Sequence, residues 1–236
     1  MRFPDPLLRG TLIRRYKRFL ADVVLDTGET VTAHCANSGS MLSVDAPGSE
    51  VWLSPARNPE RKLRYTWELI RINGGLVGIN TSHPNALAAE ATRAGALPEL
   101  AGYASLRREV KYGRNSRIDL LLEGGGRPPC YVEVKNVTLR RGAGADAPAE
   151  FPDAVTERGA KHLEELTAMV AAGHRAVMLF LVQREDCPRF TVAGDIDPAY
   201  AEGLAAARAG GVEALCYGCR LSPEEITVGG PIPLAL

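Results

Sequence analysis

The chain has 236 residues, 28 basic and 28 acidic side chains, and 45% hydrophobic residues. This length suits one large domain or two small ones, and the composition is that of a globular protein. No apolar run approaches the roughly 20 residues of a membrane span, and the first ten residues, MRFPDPLLRG, lack a signal peptide's apolar segment. The five scattered cysteines favour a reducing compartment, so we expect a cytoplasmic protein without a membrane association.

The charge is balanced overall but is unevenly distributed. Residues 1–82 hold eleven Lys or Arg against eight Asp or Glu, whereas residues 83–236 hold seventeen against twenty. Many of the N-terminal basic residues are concentrated in two clusters. A local excess of this kind can favour a polyanionic partner even though the whole chain is neutral.

Residues 1–82 have the pattern of an all-β domain. Six short runs rich in β-branched or aromatic residues follow one another, with DTGET between the second and third and NGG between the last two as hairpin turns. Five or six strands in this length predict a small barrel such as an OB-fold. An SH3-like barrel fits the pattern nearly as well.

From residue 83 onward, strands alternate with helices. A short helix is predicted after Ser82 as the N-cap residue, with Gly95 following its end, and a longer one from Ala154 to Ala172. This alternation predicts an α/β domain with a parallel or mixed sheet over residues 83–236. The Gly-, Ala- and Pro-rich stretch 141–153 is expected to be a mobile loop.

The segment RIDLLLEGGGRPPCYVEVKN, residues 117–136, is interpreted as a β-hairpin. With the turn centred near Gly126, positions whose numbers add up to about 252 face each other, which places Asp119 opposite Glu133. Lys135 shares the face of Glu133, and the intervening valines lie behind it. Two acids and one lysine are therefore expected to converge on one strand pair.

Two carboxylates close together repel each other and favour a divalent cation. Oxygen ligands suit Mg²⁺ or Mn²⁺, so Asp119, Glu133 and the backbone carbonyl of Val134 are the predicted metal ligands. Lys135 would orient a water or stabilise negative charge on a phosphate, and Glu90 on the preceding helix would supply a third acid. Alternatively, Glu133 and Lys135 are ordinary side chains on a solvated sheet face.

This arrangement is that of the PD-(D/E)xK nucleases, in which an acid is followed on the next strand by acid–any–lysine. Ile118 stands where the proline of that motif is usual. The prediction for the second domain is therefore a nuclease-like fold.

The chain as a whole resembles the sugar fermentation stimulation protein A (SfsA) family. The resemblance rests on residues 14–39, which include the H-C-x-N-[ST]-G element from His34 to Gly39, on TWELIRIN, NTSHPNALAAEA and YVEVKNVTL, and on the C-terminal GVEALCYGCRLSPEEI. It implies an N-terminal OB-like domain, a PD-(D/E)xK-like second domain, DNA binding, and a role linked to regulating sugar-utilisation genes such as those for maltose. By position, Glu90, Asp119, Glu133 and Lys135 correspond to the nuclease motif.

Two basic clusters in the first domain are the candidate nucleic-acid-binding residues. RRYKRF surrounds two aromatics with cations, and ARNPERKLRYTW precedes a strand, a combination suited to phosphates and bases. Alternatively, these are strands and loops that carry surface charge. The selected residues are Arg14, Arg15, Lys17, Arg18, Arg61, Lys62 and Arg64.

Tyr16 and Phe19 are three residues apart, so on a regular strand they face opposite sides. We predict that Phe19 lies in the core and that Tyr16 is exposed. His34 and Cys35 are adjacent, which also directs them to opposite faces and favours a structural role. A zinc or redox site at the C-x-x-C formed by Cys216 and Cys219 lacks an evident partner set.

Two classes of function remain open from the sequence. One is a Mg²⁺- or Mn²⁺-dependent nuclease that holds DNA on the barrel without strong sequence specificity. The other is a DNA-binding regulator whose nuclease-like site is idle. The absence of a readable helix-turn-helix argues against the usual bacterial mode of sequence-specific regulation. The oligomeric state is left open.

Overall fold

The structure, a computed structural model, describes residues 1–113 and 116–236. Its N-terminal part is a closed five-stranded barrel with one added strand. Strand β1 pairs with β2 and β4, β2 with β3, and β4 with β5, and a parallel pairing of β3 with β5 closes the ring. This OB-like closure confirms the first fold prediction. The strands are β1 (Leu8–Tyr16), β2 (Leu20–Leu25), β3 (Thr30–Cys35), β4 (Glu50–Pro55), β5 (Tyr65–Ile72) and β6 (Gly75–Gly78).

The second domain is built on a six-stranded mixed sheet, as the sequence predicted. Its order is β14-β13-β11-β9-β8-β7, with parallel pairing of β9, β11 and β13 and antiparallel pairing elsewhere. A small parallel sheet, β10-β12-β15, lies beside it. The large sheet contains β7 (Ser105–Tyr112), β8 (Ser116–Glu123), β9 (Cys130–Val137), β11 (Arg175–Val182), β13 (Glu213–Leu221) and β14 (Ile226–Pro231), and the small one β10 (Ala149–Phe151), β12 (Phe190–Val192) and β15 (Leu234–Ala235).

In the described residues, the large sheet is covered by the α-helices α1 (Pro84–Arg93), α2 (Glu157–Ala171) and α3 (Pro198–Ala209). The N-cap of α1 is His83 rather than the predicted Ser82, because the Ser82 hydroxyl donates to the Asn80 side chain at 2.6 Å. Helix α2 begins later than expected, where the Thr156 hydroxyl accepts from the Gly159 amide at 3.1 Å. Such an oxygen satisfies one of the free amides of a helix's first turn.

Three apolar clusters form the cores. One fills the barrel, a second lies between the sheet and α1, and a third lies on the opposite face under α2 and α3. Strand β11 is buried on both faces, which explains its continuous apolar sequence. In the described part of the chain, no helix is long and apolar enough to span a membrane.

The stretch 141–153, which was expected to be a loop, has no helix or strand at residues 141–148 but ends in regular structure. Strand β10 occupies its end, and both Ala149 and Glu150 are buried there. Arg141 forms ion pairs with Glu150 and Asp195, which attach the start of the stretch to the same small sheet. Ala149 and Glu150 look like loop composition but are strand residues here, because β12 pairs with their backbone and Arg141 pairs with the Glu150 carboxylate.

A buried carboxylate joins the barrel to the second domain. Glu68 on β5 accepts from the Ser54 hydroxyl at 2.6 Å and the Asn80 amide at 2.7 Å, and its other contact is His83 Nε2 at 2.7 Å. Burial alone would raise the pKa of Glu68, but these partners, His83 foremost, hold it below its ordinary value. The network therefore fixes the segment that leads into α1.

We predict that Glu68→Gln lowers the free energy of unfolding by about 3 kcal/mol at neutral pH, because a buried hydrogen-bonded charge loses its partner set. The contribution of Glu68 is present above its unfolded pKa, near 4.5, and is lost as the pH falls through the lower folded pKa. Denaturant titrations from pH 3 to 7 should thus show the two proteins converging at the acidic end. An equal difference at every pH would contradict this account.

Candidate functional site

Four of the five residues predicted for the metal-dependent site, all except Glu90, line one cleft of about 340 Å³. Asp119 comes from β8, and Glu133, Val134 and Lys135 come from β9. The opposite wall is the barrel loop 37–39, which carries the end of the H-C-x-N-[ST]-G element. The candidate site therefore lies where the two domains meet.

The predicted hairpin register is the observed one. Leu120 pairs with Val132, and the two further pairs keep the same register. The backbone pairing stops at Leu120, and beyond it the Asp119 carboxylate accepts a hydrogen bond from the Val134 amide at 2.7 Å. A side chain thus replaces a backbone acceptor where the strands separate, and this fixes Asp119 against β9.

Glu133 is a buried acid, only 3% exposed, and the alternative of a solvated sheet face is wrong. Its Oε1 contacts both Lys135 Nζ at 2.8 Å and His162 Nδ1 on α2. Burial alone would raise the pKa of Glu133, but His162 and Lys135 hold it below its ordinary value. Its second oxygen, Oε2, is buried without a hydrogen-bond partner in the described structure.

The contacts of His162 with Glu133 and Arg158 favour one tautomer. A carboxylate only accepts, so the His162 proton lies on Nδ1, which faces Glu133. Nε2 then accepts, and it lies 3.3 Å from the Nε of Arg158, which is the donor there. Arg158 is an exposed residue on the cleft wall and brings a positive charge beside the acids. Helix α2 therefore orients Glu133 through His162, which Arg158 contacts in turn.

Asp119 differs from Glu133 in its electrostatics. Burial, followed by the nearby Glu133 charge, raises the pKa of Asp119 to about 6. The Val134 amide, Lys135 and the Asn85 side chain, which donates to Oδ1 at 2.6 Å, oppose this rise. Because the charges of the two carboxylates destabilise each other, a bound cation would stabilise the ionised form of both.

Glu90 does not belong to this site, which corrects the prediction of a third acid. Its carboxylate accepts from the N-terminal ammonium of Met1 at 3.2 Å and lines a separate, small pocket beside β14. Asn85, five residues earlier on α1, is the side chain directed at Asp119. Five residues correspond to about 500° of helix rotation, so the two side chains lie on different sides of α1.

The residues present fit a hard divalent cation with few protein ligands. Within residues 1–113 and 116–236, no three His, Cys, Asp or Glu side chains converge as they would in a cage built from side chains alone. Two carboxylates, one with an unsatisfied buried oxygen, are the set that Mg²⁺ uses when it keeps several waters. The carbonyl of Val134 stays a predicted ligand beside them.

Three residues of the site were missed or misjudged in the sequence. Nothing in the sequence marks Asn85 or Arg158 as functional, because a lone asparagine and an arginine on a helix surface are common. His162 lies among polar residues on a helix that would be expected to face solvent, yet it is 4% exposed. A histidine directly before Leu163 and four positions before Leu166, both on the apolar side of the helix, could have indicated a buried polar contact.

Both basic clusters lie at the same end of the barrel. The turn Lys17–Arg18 leads into β2, whose Leu20 pairs with His34 on β3. His34 also pairs with Thr66, whose hydroxyl accepts from Arg61 at 2.9 Å. Burial, and then the charge of Arg61, lowers the pKa of His34. The exposed members of these clusters, here called the basic rim, are Arg14, Lys17, Arg18, Lys62 and Arg64.

Arg15 has a structural role instead of an exposed one. Its guanidinium donates to the backbone carbonyls of Arg18, Asn37, Gly39 and Ser40 at 2.9–3.2 Å. Four of its five N–H donors are thereby used, so little remains for a phosphate. Arg15 links the turn of the basic rim to the loop that forms the cleft wall.

The predicted placement of Tyr16 and Phe19 is wrong. Phe19 is 45% exposed, whereas Tyr16 is half-buried and donates its hydroxyl to Asp22 at 3.1 Å. The strand ends at Tyr16, and the positive φ angles of Lys17 and Arg18 turn the chain sharply. Strand alternation therefore does not extend to Phe19, which projects from a turn.

The cysteine and histidine alternatives are resolved by burial. His34 and Cys35 face opposite sides of β3, as predicted, and Cys35 packs in the barrel core. Cys216 and Cys219 belong to the cores on opposite faces of the large sheet, so they cannot act as a pair. All five cysteines are buried and free.

Comparisons with known proteins give a consistent result. The family model described as SfsA N-terminal OB domain matches residues 13–79, and the one described as Sugar fermentation stimulation protein RE domain matches residues 82–225. A sugar fermentation stimulation protein homolog of Paramagnetospirillum magneticum is 64% identical over 100% of this chain and 98% of its own. One from Rhodospirillum centenum is 65% identical over the full length of both.

A solved structure is similar over the whole chain. The structure of Pyrococcus furiosus SfsA in complex with Ca²⁺ superimposes with a TM-score of 0.89 at 27% identity, and covers 100% of this chain and 98% of that one. The closed barrel, the mixed sheet and these matches lead to one conclusion: the chain belongs to the sugar fermentation stimulation protein (SfsA) family.

Proposed function

We propose that this protein is a divalent-metal-dependent nuclease that binds DNA on its barrel and acts on phosphodiester bonds in the cleft. The observation that carries the proposal is the pairing of half-buried Asp119 with buried Glu133, whose Oε2 is unsatisfied, beside Lys135. A buried polar oxygen without a hydrogen-bond partner is unfavourable and is usually explained by a missing ion or a function.

The roles follow from the contacts. Asp119, Glu133 Oε2 and the Val134 carbonyl would hold Mg²⁺ or Mn²⁺, and such an ion would polarise a phosphoryl oxygen and acidify a bound water. Lys135, held by Glu133 at 2.8 Å, would orient the attacking water or stabilise charge on the phosphate. His162 and Asn85 are positioning residues for the two acids. Arg158 adds positive charge on the side where the phosphate would enter.

A divalent cation is also named in the solved relative, the SfsA of P. furiosus in complex with Ca²⁺. Calcium and magnesium both prefer oxygen ligands, although calcium takes more of them. This supports an oxygen-ligand metal site in the present chain. It leaves the choice of metal to experiment.

DNA binding is attributed to the basic rim. Its cations are exposed and lie at the barrel end next to the cleft wall. Cations on flexible side chains contact phosphates rather than base edges, which predicts affinity without strong sequence specificity. Arg15, which the sequence included, is left out because its donors are used within the barrel.

Cleavage of labelled DNA tests the catalytic proposal. With Mg²⁺ or Mn²⁺ present, wild-type protein should cut and EDTA should stop it. Asp119→Asn should abolish cleavage because it removes a ligand charge while keeping the shape. Lys135→Ala should remove cleavage yet retain metal-induced thermal stabilisation, since Lys135 is not a ligand.

Glu90→Gln is the matched control for these variants. It removes a carboxylate that lies on α1 but outside the cleft, so cleavage should stay within about twofold of wild type. Protein that binds DNA but never cuts, with any divalent metal, would favour the idle-site regulator instead. Loss of cleavage in Glu90→Gln with Asp119→Asn active would overturn the residue assignment.

Salt-dependent binding tests the basic rim. Replacing Lys17 and Arg18 together with alanine should weaken DNA binding and reduce the slope of log K against log salt by about 1.4 for a single strand or 1.8 for a duplex. Fluorescence anisotropy at several salt concentrations measures both. The matched control replaces two exposed arginines at helix ends far along the chain, Arg93 and Arg208, and should leave the slope unchanged. Salt-independent binding would contradict the proposal.

A further inference from the structure

The turn of residues 17–19 combines features that phosphate binding does not require. Phe19 is 45% exposed, a large apolar ring in the most basic part of the barrel. Lys17 and Arg18 precede it with φ angles of +48° and +63°. Residues other than glycine rarely adopt this conformation, which here lets a sharp turn present all three side chains.

The ring's position is fixed by the backbone on both sides. The Phe19 amide donates to the Lys17 carbonyl at 2.7 Å, and the Phe19 carbonyl accepts from the Cys35 amide at 2.8 Å. Arg15 accordingly holds the same turn from below through the Arg18 carbonyl at 3.1 Å. The backbone that carries this exposed ring is tied down at three points, so binding a flat partner would require little further ordering of the turn.

The same guanidinium connects this turn to the proposed active cleft. Arg15 donates to the carbonyls of Asn37 and Gly39, and both residues line the cleft opposite Asp119 and Glu133. The turn and the cleft wall are therefore separated by the width of one guanidinium group. A chain of nucleotides lying across the turn would enter the cleft within a few nucleotides.

Resting on the proposed function, we infer that the substrate is a single-stranded nucleic acid, with a base stacked on Phe19 and its phosphates held by Lys17 and Arg18. Aromatic side chains stack on bases whose faces are free, and neighbouring cations follow the backbone. In a duplex both faces of each base are covered by its neighbours. The turn therefore selects unpaired strands and delivers them to the acids.

Tryptophan fluorescence tests the stacking directly. The native chain has two tryptophans, Trp52 and Trp67, and both are buried, so Phe19→Trp introduces an exposed reporter. Titration with oligo(dT) and oligo(rU) in EDTA, where no cleavage occurs, should quench this signal. Leu8→Trp is the matched control at the opposite end of β1, about 26 Å away along the strand, and should not respond.

Binding affinities give the second readout. Phe19→Ala should weaken single-strand binding by about 5- to 150-fold, the equivalent of 1–3 kcal/mol per stacked base, and Leu8→Ala should not. Duplex binding should change less than about twofold. If both oligo(dT) and oligo(rU) quench the fluorescence, the protein binds single-stranded DNA and RNA alike. If only one of them does, that nucleic acid is the preferred substrate.

Two results would overturn the inference: an unquenched Phe19→Trp with both oligonucleotides, or equal losses for duplex and single strand in Phe19→Ala. Because these measurements need no metal and no turnover, they are independent of the cleavage assay. Stacking without cleavage would contradict the nuclease proposal alone, and cleavage without stacking would contradict only the strand preference.

Discussion

The candidate site depends on the burial of the Glu133 carboxylate. An ionised group at 3% exposure is stable only with partners, and His162 and Lys135 both contact the same oxygen. This leaves Oε2 without a hydrogen-bond partner, and the nearby Asp119 has its own pKa raised to about 6 by burial and by Glu133. The fold thus holds two acids whose charges destabilise each other, and a bound cation would reduce this repulsion. Helix α2 and the sheet keep the two acids in place.

The second constraint is the attachment of the barrel to this sheet. Asp153, just before α2, accepts from the Ser40 hydroxyl at 3.1 Å and from the Met41 amide at 3.1 Å, while Arg15 holds the other side of the same loop. Gly39 fits there because a Cβ would lie 2.8 Å from the Asp153 carboxylate. The barrel loop is therefore a fixed wall of the cleft, which attaches the barrel to the second domain.

Much of this arrangement could be predicted from sequence. The hairpin register followed from the turn position, because side chains alternate strictly along paired strands, and it brought Asp119, Glu133 and Lys135 to one cleft. Prediction failed where periodicity ends or where distant elements pack. The turn at Lys17 interrupts the alternation that placed Phe19 in the core, and only the packing of α1 shows that Asn85 faces Asp119 while Glu90 does not.

The most direct test of the central claim is to locate a bound metal. Crystals grown with Mn²⁺ should show one anomalous peak contacting Asp119 and Glu133 Oε2, and the same crystals of Asp119→Asn should lack it. A peak at any other position would contradict the proposal that Asp119 and Glu133 bind the metal. The same conclusion would follow if the wild-type cleft stayed empty at saturating Mn²⁺ and Glu133 Oε2 were hydrogen-bonded to a protein group.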